Sequence, residues 1–573
     1  MYGWTGKTVI INLTDNKINE TKTDLNDLQT YIGGRGLGVK LYSDLVKPDI
    51  DPLSPENILI FTTGPLTGTA APLSGRHVMV SKSPLTGTIF DSSSGGFFGK
   101  ELKFAGIDAL LIKGASDEPV YISLQNDDIE ILPANNIWGE NVRKCTDTLS
   151  KKGRVACIGR AGERLIPMAN VMNDYFHACG RGGLGAVMGS KKLKAIVAKG
   201  SIKPRIADKS RFDKAQAEAL DLIKKGSSGL SMYGTSAILN LMNHMKILPS
   251  GNFRKNEFND AFKVSGEFIK ENYDIKGHTC YNCGIACKHI IKSGAFAGYE
   301  VPEYETLWAF GPDNNNPDIE KLIKVNRLCN DYGIDTISTG STIAAYAEIM
   351  GEDVKDLEEY VKQMGEGTGR GKELGKGAKA LSKSHKKDVS MQCKGLEMPG
   401  YDPRGLMGMA LAYATSNRGG CHVRAYMAAP EVLGKPERVD RLTFSGKAHL
   451  VKMYQDETAT FDSLVLCKFS SFSIKTELFA EMLSAATGLD YSIDEYFKCG
   501  ERIWNLERLF NIKAGFSRKD DTLPDRFFEK GGIDRAGFGK TLDEYYHLRG
   551  WDENGVPTGD KLEELDIIIP TGT

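Results

Sequence analysis

The stretch ENILIFTTGPLTGTAAPLSGRHVMVSKSPLTGTIFDSSSGGFFGKELKFAGIDALLIKG, residues 56–114, decides how the first third of the chain folds. Its apolar runs ENILIFTTG, RHVMVSKSP and DALLIKG are short, rich in β-branched residues and closed by Gly, Pro or Ser. Runs of that length and composition read as strands joined by tight turns. Outward from it, KTVIINLTDNKINETKT (7–23) alternates about an Asp-Asn turn as a hairpin does, and PVYISLQ (119–125) and KAIVAKG (194–200) read as further strands. From about residue 207 the period changes. KSRFDKAQAEALDLIKKG (209–226), NPDIEKLIKVNRLCNDYG (316–333), TISTGSTIAAYAEIMG (336–351) and SIDEYFKCGERIWNLERLFNIKAG (492–515) repeat apolar residues at three and four, as amphipathic helices do. The expected fold is multidomain α+β: a β-rich N-terminal domain over 1–206, a helical domain over 207–393 and a helical C-terminal domain over 394–573. SKSHKKDVSMQCKG (382–395) reads as an exposed connector.

Composition narrows the function. At 573 residues the chain exceeds one ordinary domain, and 41% hydrophobic with 26% charged residues describes a globular protein rather than a disordered one. The 73 Lys and Arg nearly cancel 74 Asp and Glu, so no basic footprint points to nucleic acid. No basic segment leads into an apolar run at the N-terminus, and no apolar run is long enough to span a bilayer, so a cytoplasmic location without membrane insertion is expected. Glycine is in excess, 63 residues, which suits places where backbone must approach a ligand closely. PLTGT occurs at 65–69 and again at 84–88; the pair is either chance or two similar loops serving a two-fold ligand.

Eleven cysteines in a reducing compartment read as metal ligands before disulfides wherever they cluster. CYNCGIAC places Cys280, Cys283 and Cys287 on one loop, a spacing suited to three corners of a 4Fe–4S cube with a remote fourth thiolate. A zinc ribbon, which usually carries a second close C-x2-C pair, stays open as the other reading. Gly180-Arg-Gly-Gly-Leu-Gly185 satisfies G-x-G-x-x-G, but the polar NDYFHACG before it is a poor Rossmann strand. With GGRGLG (33–38), PLSGRHVMVSKSP (72–84) and DSSSGGFFG (91–99), it forms a set of glycine-rich loops, several carrying Arg or Lys, suited to a phosphate-bearing cofactor. Tight turns in a β domain would account for the same residues.

Taken together, and over essentially the whole chain, these segments resemble the tungsten-containing aldehyde ferredoxin oxidoreductase family. GGRGLGVKLY, PLSGRHVMVSKSPLTG, GRGGLGAVMGSKKLKAI, CYNCGIAC, VPEYETLWAFG (301–311), NDYGIDTISTG (330–340), NRGGCHVRAY (417–426) and DSLVLCKF (462–469) carry the likeness. The resemblance implies a β base with two helical domains closing over a tungsten (or molybdenum) bis-pyranopterin, one 4Fe–4S cluster and a Mg2+ ion bridging the pterin phosphates. It makes Cys467, which ends a D-x-x-x-L-C motif begun by Asp462, the fourth cluster ligand. It puts Arg76 between cluster and pterin, and the backbone carbonyls of Ser93 and Gly183 on the magnesium. Gly95, Gly182, Gly185, Asn330, Ile334, Asp335, Asp462 and Lys468 become cofactor contacts. Asn330 stands where the family motif D-x-x-G-L-D has its first aspartate, and Ile334 where it has leucine. Glu305 becomes the general base, His422 the orienting group and Tyr304 a second donor. The implied reaction oxidises an aldehyde with water and passes single electrons to ferredoxin or a small iron–sulfur subunit, with a homodimer as the expected assembly. Two alternatives stand beside it: a superfamily member working reductively on an aromatic acyl thioester, and a non-enzymatic iron–sulfur electron-transfer subunit.

Overall fold

The N-terminal strands assemble into two sheets of six. A computed structural model describes residues 1–568. Strands β1 (Lys7–Asn12) and β2 (Lys17–Lys22) form the expected hairpin, with Ile11 opposite Ile18. With β3 (Leu59–Thr62), β4 (His77–Lys82), β5 (Ile89–Ser94) and β6 (Ala109–Lys113) they make a sheet of order β2-β1-β6-β3-β4-β5. The second sheet holds β7 (Val120–Gln125), β8 (Asp128–Pro133), β9 (Arg154–Cys157), β10 (Val171–Asn173), β11 (His177–Cys179) and β12 (Leu193–Lys199). Its order from the matching edge is β8-β7-β12-β9-β10-β11. Both sheets therefore have one connectivity: a hairpin, a parallel pair that closes the unit (β1 with β6, β7 with β12), and antiparallel strands beyond. The N-terminal domain is a structural duplication.

Side-chain alternation sets the layers. Leu59, Phe61 and Met79 point from the first sheet into an apolar layer shared with Ile122, Leu124, Ile196 and Ala198 of the second. Their neighbours Ile60, Val78 and Val80 face outward onto Leu37 and Tyr42 of the helix Gly34–Leu45. Tyr121, Val155 and Val197 of the second sheet face the helix Val142–Leu149. Period-two patterning thus gives helix, sheet, sheet, helix.

The duplication corrects how the glycine loops are related. Both PLTGT segments lie in the first unit, one between β3 and β4 and the other between β4 and β5, so they are not repeat partners. The equivalent loops are residues 95–97, leading from β5 into the helix Phe98–Phe104, and residues 180–183, leading from β11 into the helix Leu184–Ser190. Asp91–Ser94, read as part of a loop, form most of β5, and the three-residue β11 sits inside NDYFHACG. β11 is an antiparallel edge strand, not the parallel strand a dinucleotide site needs, so GRGGLG is not a Rossmann loop.

Downstream helices begin where acidic and serine caps place them: Asp208 before Lys209–Gly226, Asp318 before Ile319–Tyr332, Asp335 before Thr336–Met350, and a Ser492/Glu495 capping box before Ile493–Lys513. A single apolar cluster runs through both helical regions, from Leu239 and Trp308 to Tyr545 and Trp551. Residue 206 falls in the irregular stretch between β12 and the first long helix, whereas 393 and 394 fall inside the small hairpin that pairs Cys393 with Leu396. The segment 382–395 is not an exposed connector: Val389, Met391 and Cys393 are buried, and buried Lys394 lies 2.7 Å from Asp521. Its lysine run reaches solvent, but its apolar residues fold inward. No helix among the described residues is long and apolar enough to cross a membrane.

One buried pair ties the start of the chain to the first unit. Lys103 Nζ lies 2.6 Å from Asp108 Oδ1, both side chains are fully buried, and Asp108 also accepts the backbone N–H groups of Thr5 and Gly6. Lys103→Met leaves that carboxylate without its counter-charge and should cost about 3–5 kcal/mol. A calorimetric scan should show the melting temperature falling by several degrees, and adding Asp108→Asn should recover part of the loss.

Candidate active site

A cavity of about 620 Å³ opens between the β base and the helical regions, and nearly every residue singled out from the sequence lines it or packs behind its wall. The cysteine loop spans the hairpin made by Ile275–His278 and Lys288–Ile291. Backbone bonds fasten it to the first sheet's loops: Tyr281 N–H donates to Gly96 O at 3.1 Å, and Leu73 N–H to Asn282 O at 2.9 Å. Leu73 also accepts from Cys467 N–H, so one residue of the β domain holds both cysteine-bearing segments. Gly95 permits the approach, since a Cβ there would meet Cys280 Sγ at 3.0 Å. Cys280, Cys283, Cys287 and Cys467 all line the cavity, and all are free thiols. Burial pushes the Cys280 thiol up to about 11 and raises Cys287 and Cys467, with the Arg76 charge opposing the shift at Cys467. Thiols of that kind hold their protons until a metal replaces them. Among the described residues no three His, Cys, Asp or Glu side chains converge closely enough to grip a single ion.

Arg76 occupies the position between the thiols and the β5 loop. Its Nε donates to Ser93 Oγ at 2.9 Å, Nη2 to Ser93 O at 3.1 Å, and Nη1 lies 3.7 Å from Cys467 Sγ. The Ser93 carbonyl thus accepts a guanidinium bond, and the Gly183 carbonyl receives Ala186 N–H at 2.9 Å and Val187 N–H at 3.3 Å at the start of its helix.

Glu305 and His422 come together from segments 117 residues apart. Glu305 Oε1 is 3.6 Å from His422 Nε2, while Oε2 accepts Gly400 N–H at 3.0 Å. That separation is a salt-bridge distance, yet burial pushes Glu305 up to about 8 and His422 down to about 3, with Arg181 and Arg418 adding to the fall at the imidazole. At neutral pH the pair is therefore a carboxylic acid beside a neutral ring, not two charges. Glu305 Oε1 and His422 Nδ1 are buried without hydrogen-bond partners. Tyr304 is placed differently from its expected role: its hydroxyl donates to Gly400 O, so it clamps the strap that holds Glu305. The hydroxyls beside the imidazole belong to Tyr401 and Tyr426, 3.1 Å apart, with ring centroids 5.3 and 5.9 Å from that of His422. Sequence reading missed Tyr401, and Tyr426 stood unremarked at the end of NRGGCHVRAY; only the fold brings them together.

The remaining candidates divide between wall and scaffold. Asp335 caps its helix and lies 3.0 Å from Arg181 Nε, so it aims the arginine of the second glycine loop into the cavity wall. Arg181 went unnamed among the candidates although its loop was singled out. Asn330 donates to Glu300 Oε2 at 2.8 Å, and Ile334 bridges to Ala169 of the second unit. Gly182, Gly183 and Gly185 pack against Phe90, Pro167 and Asn170 with no room for a side chain. Asp462 pairs with Arg424 and with Arg35, and Lys468 donates to Thr458 Oγ1 at 3.0 Å. Arg418 and Arg424 also line the cavity, and each keeps a buried Nε without a partner. Guanidinium groups on a cavity wall fit an anionic ligand.

Comparison with known proteins identifies the family of the chain. The family model for the aldehyde ferredoxin oxidoreductase N-terminal domain matches residues 8–200, and that for domains 2 and 3 matches residues 214–567. The tungsten-containing aldehyde ferredoxin oxidoreductases of Pyrococcus furiosus and Thermococcus kodakarensis are 41% and 40% identical, over 99% of this chain and of theirs. The WOR-like subunit of an aliphatic sulfonate oxidoreductase of Pyrococcus furiosus is 29% identical over 99% of this chain and 97% of its own. Among solved structures, the active-site complex BamBC of benzoyl coenzyme A reductase superposes with a TM-score of 0.88 over 99% of this chain and 97% of that one; at 23% identity it speaks to the fold alone. By length, order of domains and identity, the chain belongs to the aldehyde ferredoxin oxidoreductase family.

Proposed function

We propose that this oxidoreductase carries a tungsten–pterin cofactor and one 4Fe–4S cluster, oxidises an aldehyde with water to a carboxylic acid, and delivers two electrons singly to ferredoxin or a ferredoxin-like subunit. The observation that carries the reading is that a buried carboxyl–imidazole pair and four free thiols share the walls of one cavity. Full-length likeness to tungsten-containing aldehyde oxidoreductases supplies the metal and the substrate class. When bound, the metal–pterin group supplies two-electron redox chemistry, which the cluster divides into single-electron steps.

The residues that would hold these groups are those on the walls. Cys280, Cys283, Cys287 and Cys467 take the cluster, since a cube spreads its thiolates farther apart than a single ion does. The two glycine loops, Arg181, Arg418, Arg424, Asn330, Asp335, Asp462 and Lys468 would hold the pterins, and the Ser93 and Gly183 carbonyls would be the ligands offered to a Mg2+ ion. Duplicated glycine loops suit a ligand with two similar halves. Aldehyde plus water gives acid, two protons and two electrons, so a base must accept protons inside a closed site. Glu305 does this in its ionised form; the neutral His422 ring and the Tyr401–Tyr426 hydroxyls orient the carbonyl oxygen. We take the chain as three units, 1–206, 207–393 and 394–573, working in the cytoplasm. For the assembly we favour a homodimer: native mass spectrometry should give twice the chain mass, against one chain plus a small iron–sulfur subunit.

Glu305→Gln should lower turnover by about 10²–10⁴-fold with tungsten, pterin and iron contents unchanged. Because the base works deprotonated and burial pushes it up to about 8, kcat of the unsubstituted enzyme should rise with pH through that region and level off above it. The Gln variant should lack that limb; a rise that persists in it assigns the titration to another group. Cys467→Ser should lose cluster iron and its electron paramagnetic signal. Cys499→Ser should keep both, because Cys499 is packed in the apolar cluster around Tyr496 and Ile503. The opposite pattern would reassign the fourth ligand.

A further inference from the structure

On its outer side the cysteine loop reaches solvent, with Thr279, Asn282 and Gly284 exposed while Cys280 and Cys283 are half-buried behind them. A second, open cavity of about 410 Å³ lies beside that tip, lined by Lys151, Arg154, Lys199, Glu101, Asp174 and Tyr175 among others. Two hydrogen bonds fix it relative to the loop: Phe97 N–H donates to the Asp174 carboxylate at 2.5 Å, and Tyr281 N–H to Gly96 O at 3.1 Å. The ground between is aromatic and basic. The Arg154 guanidinium stacks 4.7 Å from Phe97, and Phe97 stands edge-on to Tyr281 at 6.5 Å. The Lys100 ammonium sits 5.7 Å from the Tyr281 ring. On the other flank Tyr175, Phe176 and His278 continue the surface, at 6.0 and 5.7 Å between successive rings. Tyr281 follows Cys280 directly, and His278 precedes it by two residues.

Five cations, Lys100, Lys151, Arg154, Lys199 and Lys276, thus gather around the loop against Glu101, Asp147 and Asp174, in a chain whose formal net charge is only -1. Lys151, Arg154, Lys199 and Lys276 are exposed. Lys100 pairs with Glu101 and Arg154 with Asp174, but the local excess of cations beside the half-buried Cys280 and Cys283 favours the approach of an anionic partner there. Flat aromatic rings flanked by cations also give a contact surface that excludes water. We propose that this rim is the docking surface for a small acidic iron–sulfur protein, with the 410 Å³ cavity receiving an acidic side chain of that partner. The proposal rests on the function proposed above. In the complex one electron passes from the reduced cluster to the oxidised acceptor; no bond is made or broken, and two encounters complete each aldehyde turnover.

The test uses holoenzyme of the unsubstituted chain and of the triple variant Lys151→Glu/Arg154→Glu/Lys276→Glu. Two rates are measured: viologen-linked aldehyde oxidation, and stopped-flow reduction of a purified acidic 4Fe–4S ferredoxin by dithionite-reduced, desalted enzyme. The second-order rate with ferredoxin should drop about tenfold or more in the variant, and in the unsubstituted enzyme should fall as salt is added. Viologen-linked oxidation, whose acceptor is a small dication, should change by less than about twofold, because no substituted residue lines the active-site cavity. An unchanged ferredoxin rate in the variant overturns the docking surface. If the variant loses cluster iron, the salt profile of the unsubstituted enzyme and the single variant Lys276→Glu decide, and salt-independent reduction overturns it. A self-associating copy of this chain on the rim, seen as a concentration-dependent mass that the triple variant abolishes, overturns it as well. An enzyme that reduces ferredoxin but oxidises no aldehyde would fail the functional reading and leave the docking surface standing.

Discussion

Arg35, Asp91, Arg424, Asp462 and Glu507 share one buried ionic network, and most of the site is arranged around it. Arg35 holds Glu507 through two bonds of 2.7 and 2.8 Å, Arg424 reaches Asp91 at 2.6 Å, and Asp462 joins both arginines. Burial alone would raise the Asp91 carboxyl, but Arg424, Arg35 and Arg418 hold it below its ordinary range. Buried charges are costly, and such a network is weak evidence for stability. What it does is fix geometry. Its members come from the β base, from the segment carrying His422, from the segment ending in Cys467 and from the long helix Ile493–Lys513, so removing any one leaves a partner charge stranded. The cavity keeps its shape because the alternative arrangements are electrostatically worse.

The Glu305–His422 pair is built on the opposite principle. There burial is not offset by counter-charges, and both groups are driven to their neutral forms. One wall of the cavity therefore carries fixed charge, while the other carries a carboxyl whose proton is movable near neutral pH beside a ring that stays neutral there. Gly400 holds this second wall in place, accepting from Tyr304 and donating to Glu305.

Local chemistry in the sequence was readable; convergence was not. The hairpin 7–22, the strands Leu59–Thr62 and His77–Lys82, and the capped helices follow from alternation, period and Asp or Ser caps within a few residues of each element. C-x2-C-x3-C was legible because three ligands lie within one loop, and Cys467, Glu305 and His422 only through family likeness. Tyr401, Arg181 and Arg418 were not singled out, since nothing local distinguishes a tyrosine that will face an imidazole from one that packs a core. The short strands of the second unit escaped for a related reason: three residues are too few to show a period, and their pairing is decided by distant partners. The apolar half of 382–395 was masked by the lysines beside it.

The duplicated loops are not identical, and one of their differences bears on the site. Counted back from the first helical residues, Phe98 and Leu184, the third position is Gly95 in one unit and Arg181 in the other. In the first unit the missing side chain lets Cys280 come against the backbone; in the second a guanidinium fills the place and turns toward Asp335. An ancestral base with identical halves would offer a ligand two interchangeable orientations. Here the halves differ, with Gly95 against the cysteine loop in one and Arg181 paired with Asp335 in the other, so a ligand with two similar halves would meet two unlike seats. The orientation of such a ligand is decided at the position where the internal symmetry of the base is broken.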